Sequence, residues 1–542
     1  MSEHSSTETG TDVLVVGAGG TGLALAAGLA RRGVRVRVVE KAPALSPVPK
    51  ALGVQARTLE VLEDLGVVPR MVAEGLPMTA MHIRSERRPV ADVDLSLIDS
   101  GYPYLLMLPQ SAVERILADR LAEDGVAVEH GVELTGFTDT GAHVAAVLRH
   151  ADGRTETVRA GWLAGADGAH STVRHLLGIP FEGTALEENF ATADIGLDWP
   201  LGFGDGFAFL DRGRPAAFFP LPEGRYRMVI AYPPGADPGG EVTRAEMQAQ
   251  LDRLGVPGAR VTDFGWSARF RVNQRLSARH SAGRVFLTGD AAHIHSPVGA
   301  QGMNTGIQDA VNLAWKLAAH ITGGAPRDLL DTYHQERGAV ARRLVAGTTR
   351  FTRLTLLHGT VTTMVRRAVA PRVLGRGPVQ QRLTRAISQL DVAYPDSALN
   401  AGAAPSGGPA PGERAPYTGL FGPAAGPGCT LLVFTGYRGA ADPEVRAGVG
   451  ELTALAQARP GVAVEVAAPE GDDGLPGVRH DASLEAHRRF GLTAGGYALV
   501  RPDGYIAVVG ALGDTAALRG HLDRWFPRAA SAPTAGPRRQ AG

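Results

Sequence analysis

A single cysteine, Cys429, in 542 residues excludes an intrachain disulfide, a CxxC redox pair and a multi-cysteine metal site, and it suits a reducing compartment. Its own reading is a small buried apolar side chain. Lysine is almost as scarce. Lys41, Lys50 and Lys316 are the whole complement, 55 basic residues balance 55 acidic ones, and the arginines are dispersed, so no basic face for nucleic acid is indicated. Only one apolar run approaches membrane length: residues 13–30, VLVVGAGGTGLALAAGLA, carry no charge. Glycines 17, 19, 20, 22 and 28 are too many for one stable helix through it, and no Lys or Arg precedes it as a signal peptide requires. Neither a membrane span nor a targeting segment is expected, and the expected location is the cytoplasm. A chain this long, 44% apolar, divides into two to four domains.

The same run reads as strand, turn and helix: residues 12–16 extended, a helix from near Gly22, RRG ending it, and VRVRVVE alternating as a second strand that closes on Glu40. Gly17, Gly19 and Gly22 thus spell GxGxxG directly after a strand, with an acid 23 positions beyond the first glycine. Gly17 permits the tight turn, Gly19 lets main chain approach a pyrophosphate, Gly22 allows close helix packing, and Glu40 can accept from ribose hydroxyls. That is the arrangement for a dinucleotide, either NAD(P) or FAD. A dehydrogenase would place a second mononucleotide-binding half soon after Glu40. This chain continues otherwise. It gives a helix at about 56–65, the strand YLLMLP, a helix from Ser111, a hairpin in AHVAAVLRHADGRTETVRAG, strand-like WLAGADGAHSTVR and a β-rich stretch at about 180–275, and returns with GRVFLTGDAAH.

The stretches VGAGGTG, GADGAHSTVR and GRVFLTGDAAHIHSPVGAQGMNTGIQDAVNLAWKL, in this order, resemble FAD-dependent aromatic hydroxylases related to para-hydroxybenzoate hydroxylase over about residues 10–395. The likeness is strongest to the branch acting on polycyclic aromatic polyketides and phenolic acids. It implies that Gly17, Gly19, Gly22 and Glu40 hold the ADP half of FAD and that Asp290 accepts from the ribityl chain. Gly302, Met303 and Asn304 would offer backbone N–H groups to the O2/N1 edge of the flavin, with Pro297 against its reacting face. Asp167 and Gly168, with Arg174 downstream, would serve FAD and the passing NADPH; their other reading is an Asp-Gly turn before a helix cap. Arg57 and Gln110 match positions that touch FAD. No catalytic acid or base is assigned, and no metal. His293 and His295 lack a third spaced ligand and read as packing beside the flavin, and His334 as a surface or capping residue. Relatives carry two prolines and a double glycine where this chain has Ser296, Val298 and Ala300.

The implied reaction is NADPH-dependent, O₂-consuming hydroxylation of an aromatic substrate through a C4a-hydroperoxyflavin. Alternatives are a flavoprotein that binds or sequesters an aromatic compound without hydroxylating it, or a related flavin-dependent reductase or halogenase; the tryptophans (162, 199, 266, 315, 525) give no WxWxIP halogenase signature. The expected fold is α/β: a Rossmann-type FAD-binding domain (12–180 and 276–395, with a helical extension), an inserted β-rich substrate domain (181–275), a Pro/Gly-rich linker (396–417) and a C-terminal thioredoxin-like α/β domain (418–527). Residues 1–11 and 528–542 read as disordered tails. Phe207, Phe209, Phe218, Phe219, Tyr226 and Met228 are available as pocket wall, although such side chains are more often core. Lacking CxxC, the last domain is expected to be structural or to support a homodimer.

Overall fold

The computed structural model describes residues 10–85, 88–210, 214–233, 235–295, 300–356, 376–422, 426–439, 441–470, 475 and 477–528. It divides into two units, residues 1–315 with 333–393, and residues 316–332 with 394–542.

The first unit holds two large sheets. In one, Val285–Leu287, Thr155–Gly165, Thr11–Val16, Val36–Glu40 and Val128–His130 lie side by side and parallel. The hairpin Val144–His150/Thr155–Gly165 extends this sheet antiparallel, as the alternation in the sequence predicts. Leu14, Val39, Leu163, Val285 and Leu287 form its core. Helix Gly20–Ala30 starts two residues earlier than expected, and Leu23, Ala24, Leu25, Ala26, Ala27 and Leu29 are all fully buried. A helix apolar on every side is a core helix here, which explains the uncharged run. Among the described residues no helix is long and apolar enough to cross a membrane.

The second sheet has eight strands, of which Phe181–Asp198 and Arg260–Ser277 are the longest and pair antiparallel. The segment 181–275 supplies most of them, but Ala80–Ser85 and Arg88–Asp94 also join, the former parallel to Gly206–Phe209. Their short, charge-interrupted sequences carry little strand signal, so they read as part of the nucleotide-binding segment. Helix Arg244–Leu254 covers one face. Thr243 caps it by accepting the Glu246 N–H at 3.2 Å, and Gly255 ends it in the left-handed region. Because strand side chains alternate, each strand gives one set of residues to the core under this helix and the other set to the opposite face. Phe207, Phe209, Phe218, Tyr226 and Met228 take the core side with Met247 and Leu251.

The second unit contains a six-stranded mixed sheet in the order Ala401–Gly402, Ile506–Gly510, Gly496–Val500, Cys429–Phe434, Val462–Ala468, Val478–His480. Cys429 is buried on its strand. The Pro/Gly-rich segment read as a linker packs onto this sheet. Ala401–Gly402 pairs with Val508 and Val509, Gly412 N–H donates to the Ile506 carbonyl at 2.7 Å, and Ala415 N–H to that of Gly504 at 2.9 Å. Proline and glycine remove helical and strand periodicity from a sequence without preventing extended backbone from pairing at a sheet edge.

Candidate cofactor and substrate site

A cavity of about 900 Å³ in the first unit is lined by both of its large sheets. At one end stand Gly17, Ala18, Gly19, Gly20 and Thr21, the turn between the first strand and helix Gly20–Ala30. Gly17 has φ +103°, and a Cβ on it would lie 2.4 Å from the Ala166 carbonyl oxygen. A Cβ on Gly22 would lie 2.0 Å from the Gly17 carbonyl oxygen, so the turn closes only with glycine at both positions. Glu40 lines the cavity and holds this turn: Oε2 accepts the Ala18 N–H at 2.8 Å and Oε1 the Ala42 N–H at 2.9 Å.

Asp167 and Gly168 follow the parallel strand Thr155–Gly165 and also line the cavity. Asp167 Oδ2 accepts the Val173 N–H at 3.0 Å, and Ser171 Oγ accepts the Arg174 N–H at 3.0 Å, which fixes the start of helix Thr172–Leu176. Asp167 Oδ1 is buried and accepts from no described protein group. The residue thus combines a capping role with a spare buried acceptor at the cavity. Arg174 is not among the lining residues. Its guanidinium donates to the carbonyls of Ala169 and Ala291, each at 2.8 Å, and lies over the Phe181 ring, so it braces the Asp167 loop against the Asp290 loop.

Asp290, on the turn Gly289–Ala291, opens into the cavity and is enclosed on its other sides; that enclosure pushes its pKa above the usual carboxylate range. Gly302 and Met303 line the cavity at the start of helix Gly302–Ile321. Asn304 turns away. Its Oδ1 accepts the Gln55 N–H at 2.9 Å while Nδ2 donates to the carbonyls of Gly53 and Ala300, which ties this helix start to residues 53–55. Gln110 lines the cavity, accepting the Ala51 N–H at 3.2 Å. Arg57 is buried away from the lining against Glu60, one turn along its helix, at 2.9 Å; a buried guanidinium requires such a carboxylate. Pro297, like Ser296 and Val298, lies outside the described residues.

Ala300 stands at φ +54°, a region that favours glycine. A Cβ in that region costs about 1–2 kcal/mol, of which glycine's larger unfolded-state entropy takes back about 0.4–1 kcal/mol. Ala300→Gly is therefore expected to raise the midpoint of thermal unfolding slightly, and a clear fall would refute the strain at this position.

His293 belongs to a buried ion-pair cluster, whereas His295 lines the cavity. His293 Nε2 meets Asp309 Oδ2 at 2.6 Å, Arg337 Nε donates to Asp309 Oδ1 at 2.5 Å, and the Gly289 N–H reaches Asp309 Oδ2 at 3.2 Å. Despite its burial, the Asp309 carboxyl is held below its ordinary range by Arg337 and His293. His280 stacks on His293, and burial lowers its pKa to about 3, so it stays neutral. His334 is half-buried and its Nδ1 accepts the His280 backbone N–H at 3.3 Å.

At the far end the cavity is walled by the second sheet: Phe190, Phe219, Trp266 and Phe270, with Val229 and Arg227. Phe190 and Phe270 stack with ring centroids 5.4 Å apart. Arg227 is gripped by Asp194 at 2.7 and 2.9 Å, donates to the Lys50 carbonyl at 3.2 Å and lies 4.8 Å from the Trp266 ring centre. Of the aromatic wall candidates, Phe219 alone is on this side. Sequence reasoning missed Phe190, Arg227, Trp266 and Phe270 because alternation gives two faces without saying which is the core. It also missed Glu114, whose signal was its position one helical turn after Gln110.

A glycine turn, an acid on the next strand and a second acid-bearing turn around one cavity form a dinucleotide site, and a family described as FAD binding domain matches residues 10–348. The chain belongs to this FAD-binding family. It is 37% identical over 538 residues to 6-methylpretetramide 4-monooxygenase of Streptomyces rimosus, covering 95% of this chain and 93% of that protein. Among solved structures it resembles the anhydrotetracycline hydroxylase OxyS from Streptomyces rimosus (TM-score 0.73, 32% identity, 96% of this chain and 100% of that one). It also resembles aklavinone-11 hydroxylase in a ternary complex with FAD and aklavinone (TM-score 0.71, 28% identity, 97% and 99% covered). The residues present fit FAD: glycine backbone where a Cβ would block the turn, the buried free acceptor of Asp167, and a cavity continuous from that turn to an aromatic wall.

Proposed function

We propose that this chain is an FAD-dependent monooxygenase that uses NADPH and O₂ to hydroxylate an aromatic substrate of the polycyclic polyketide or phenolic kind. The observation that carries the proposal is the continuity of one cavity from the glycine turn and Asp290 to the wall of Phe190, Phe219, Trp266 and Phe270.

Bound FAD would supply hydride acceptance and oxygen activation. The chain's part is to hold and to exclude. Backbone N–H groups at the start of helix Gly20–Ala30 would receive the diphosphate, Glu40 and Asp167 would fix the adenosine half, and Asp290 would accept from the ribityl hydroxyls. N–H groups at the start of helix Gly302–Ile321, at Gly302 and Met303, favour negative charge beside them. Gly22, by the side chain it lacks, and Arg57 and Asn304, by side chains turned away from the cavity, would act by shaping the turn and the neighbouring helices, and Pro297 by position. The aromatic wall would admit a flat ligand and displace water. A cytoplasmic location, a homodimer and a thioredoxin-like structural role for the C-terminal unit complete the reading; the mixed sheet of that unit and its single buried cysteine support the last of these.

The test is NADPH oxidation by the purified chain with a panel of polycyclic phenols under isotopically labelled dioxygen, read by mass spectrometry. One labelled oxygen in the product is expected. Substrate-stimulated NADPH oxidation with no labelled product from any phenol would instead indicate a binding protein. In the same assay Trp266→Ala is expected to raise KM about tenfold, the weight of one lost aromatic contact, with little change in flavin content.

A further inference from the structure

We propose that Glu114 is a further cofactor-binding residue and that it takes up one proton from solvent when the FAD diphosphate enters. The inference rests on the FAD reading above.

Glu114 reaches from helix Gln110–Glu123 to the first turn of helix Gly20–Ala30, where Oε1 accepts the Gly20 N–H at 3.2 Å and the Gln110 Nε2–H at 2.7 Å. The Gly20 amide belongs to the group at a helix start that has no acceptor within the helix. This helix has no side-chain cap and no acid in its own first turn. A carboxylate from another helix therefore stands where the terminus attracts an anion, and it lines the same cavity as the glycine turn.

A diphosphate drawn to that terminus arrives beside a buried carboxylate. Few groups relieve the repulsion. Glu40 adds to it and Lys50 opposes it; elsewhere the cavity wall carries Asp167, Asp290 and Glu133 against Lys41, His295 and an Arg227 already paired with Asp194. Gln110 donates a hydrogen bond but brings no charge, and Arg115, next on the helix, pairs with Glu74 and Asp119. Burial has already moved the Glu114 pKa upward before any ligand charge is added. Protonation resolves the conflict. The neutral carboxyl keeps a carbonyl oxygen to accept from Gly20 and Gln110, and its new O–H donates to a diphosphate oxygen. One O–H bond forms on binding and the same proton returns to solvent on release.

The sign follows from linkage: a complex that holds more protons than its separated parts weakens as pH rises. The full-length chain is dialysed to equilibrium against FAD from about pH 6 to about pH 8.5, a range that avoids ordinary carboxylate titration. Bound flavin is read by absorbance, and calorimetry in two buffers of different ionisation enthalpy counts the protons taken up. The apparent Kd of the wild type should rise by up to about tenfold per pH unit within the window between the free and bound Glu114 pKa values, with uptake approaching one proton. Glu114→Gln, equal in shape and always neutral, should bind with neither slope nor uptake. A wild type that shows no uptake, or a Glu114→Gln protein that keeps the slope, overturns the proposal and leaves the FAD reading intact. If neither protein takes up FAD at any pH, both fall. A wild-type count of zero overturns the proposal even if the variant fails to fold.

Discussion

Gly22→Ala is expected to yield a protein that retains no flavin. The added methyl would sit 2.0 Å from the Gly17 carbonyl oxygen, 3.0 Å from its carbon and 3.2 Å from the Ala166 side chain. Two of these three neighbours are backbone, and backbone moves only by opening the turn. Opening it separates the Ala18 N–H from Glu40 and withdraws the start of helix Gly20–Ala30 from the diphosphate position. Alanine is the better helix former, so any local propensity gain is overruled by the collision. The measurement is the flavin-to-protein absorbance ratio after purification with excess FAD, with circular dichroism to establish that the rest has folded. A yellow, fully loaded Gly22→Ala protein would show that this turn does not hold the cofactor.

The second large effect is expected from Arg337→Met. Arg337, His293 and Asp309 are essentially fully buried, and the carboxylate depends on the guanidinium beside it. Removing one member of a buried pair costs about 3–5 kcal/mol, because the remaining charge cannot regain water. The midpoint of chemical or thermal unfolding should fall accordingly, and equal midpoints for the two proteins would contradict the assignment. The acid response follows from the same cluster. The Asp309 pKa is lowered on folding, so its contribution is present above the unfolded carboxylate range and is lost progressively as pH falls from there through the lowered folded pKa. His280 acts earlier. With a folded pKa of about 3 against an unfolded 6.5, it is neutral in both states above pH 6.5 and costs stability progressively as pH drops from there toward 3. Wild-type stability should therefore begin to decline in mild acid, before carboxylates titrate.

The glycine turn was legible in the sequence because few residue types survive there: a strand, then glycine at 17, 19 and 22, then an acid leave the backbone little choice. Asp290, Gly302 and Met303 were legible through their motif, and they face the same cavity as Gly17 and Glu40. The Asn304 side chain points at Gly53 and Gln55, a packing role the motif does not announce, because successive side chains at a helix start face different directions. The aromatic wall was not legible. Phe218 and Phe219 are alike as letters, and only the placement of helix Arg244–Leu254 decides which of them is core. The strands Ala80–Ser85 and Arg88–Asp94 pair with each other, and their place in the second sheet was missed because it is set through Gly206–Phe209, more than a hundred residues away in sequence. The packed segment 396–417 was missed because composition reports regularity, and edge pairing needs only extended backbone.

The division of each strand between two faces constrains how the pocket can change over time. Positions 190, 192, 217, 219, 227 and 229 touch the cavity, while 191, 193, 216, 218, 228 and 230 belong to the interior. Inserting or deleting one residue in any of these strands would exchange the two sets wholesale, presenting greasy interior side chains to the ligand and driving Arg227 into the protein's centre. Divergence toward new aromatic compounds in this lineage must therefore proceed by exchange of single letters at fixed strand length, with gains and losses of residues confined to the connecting turns.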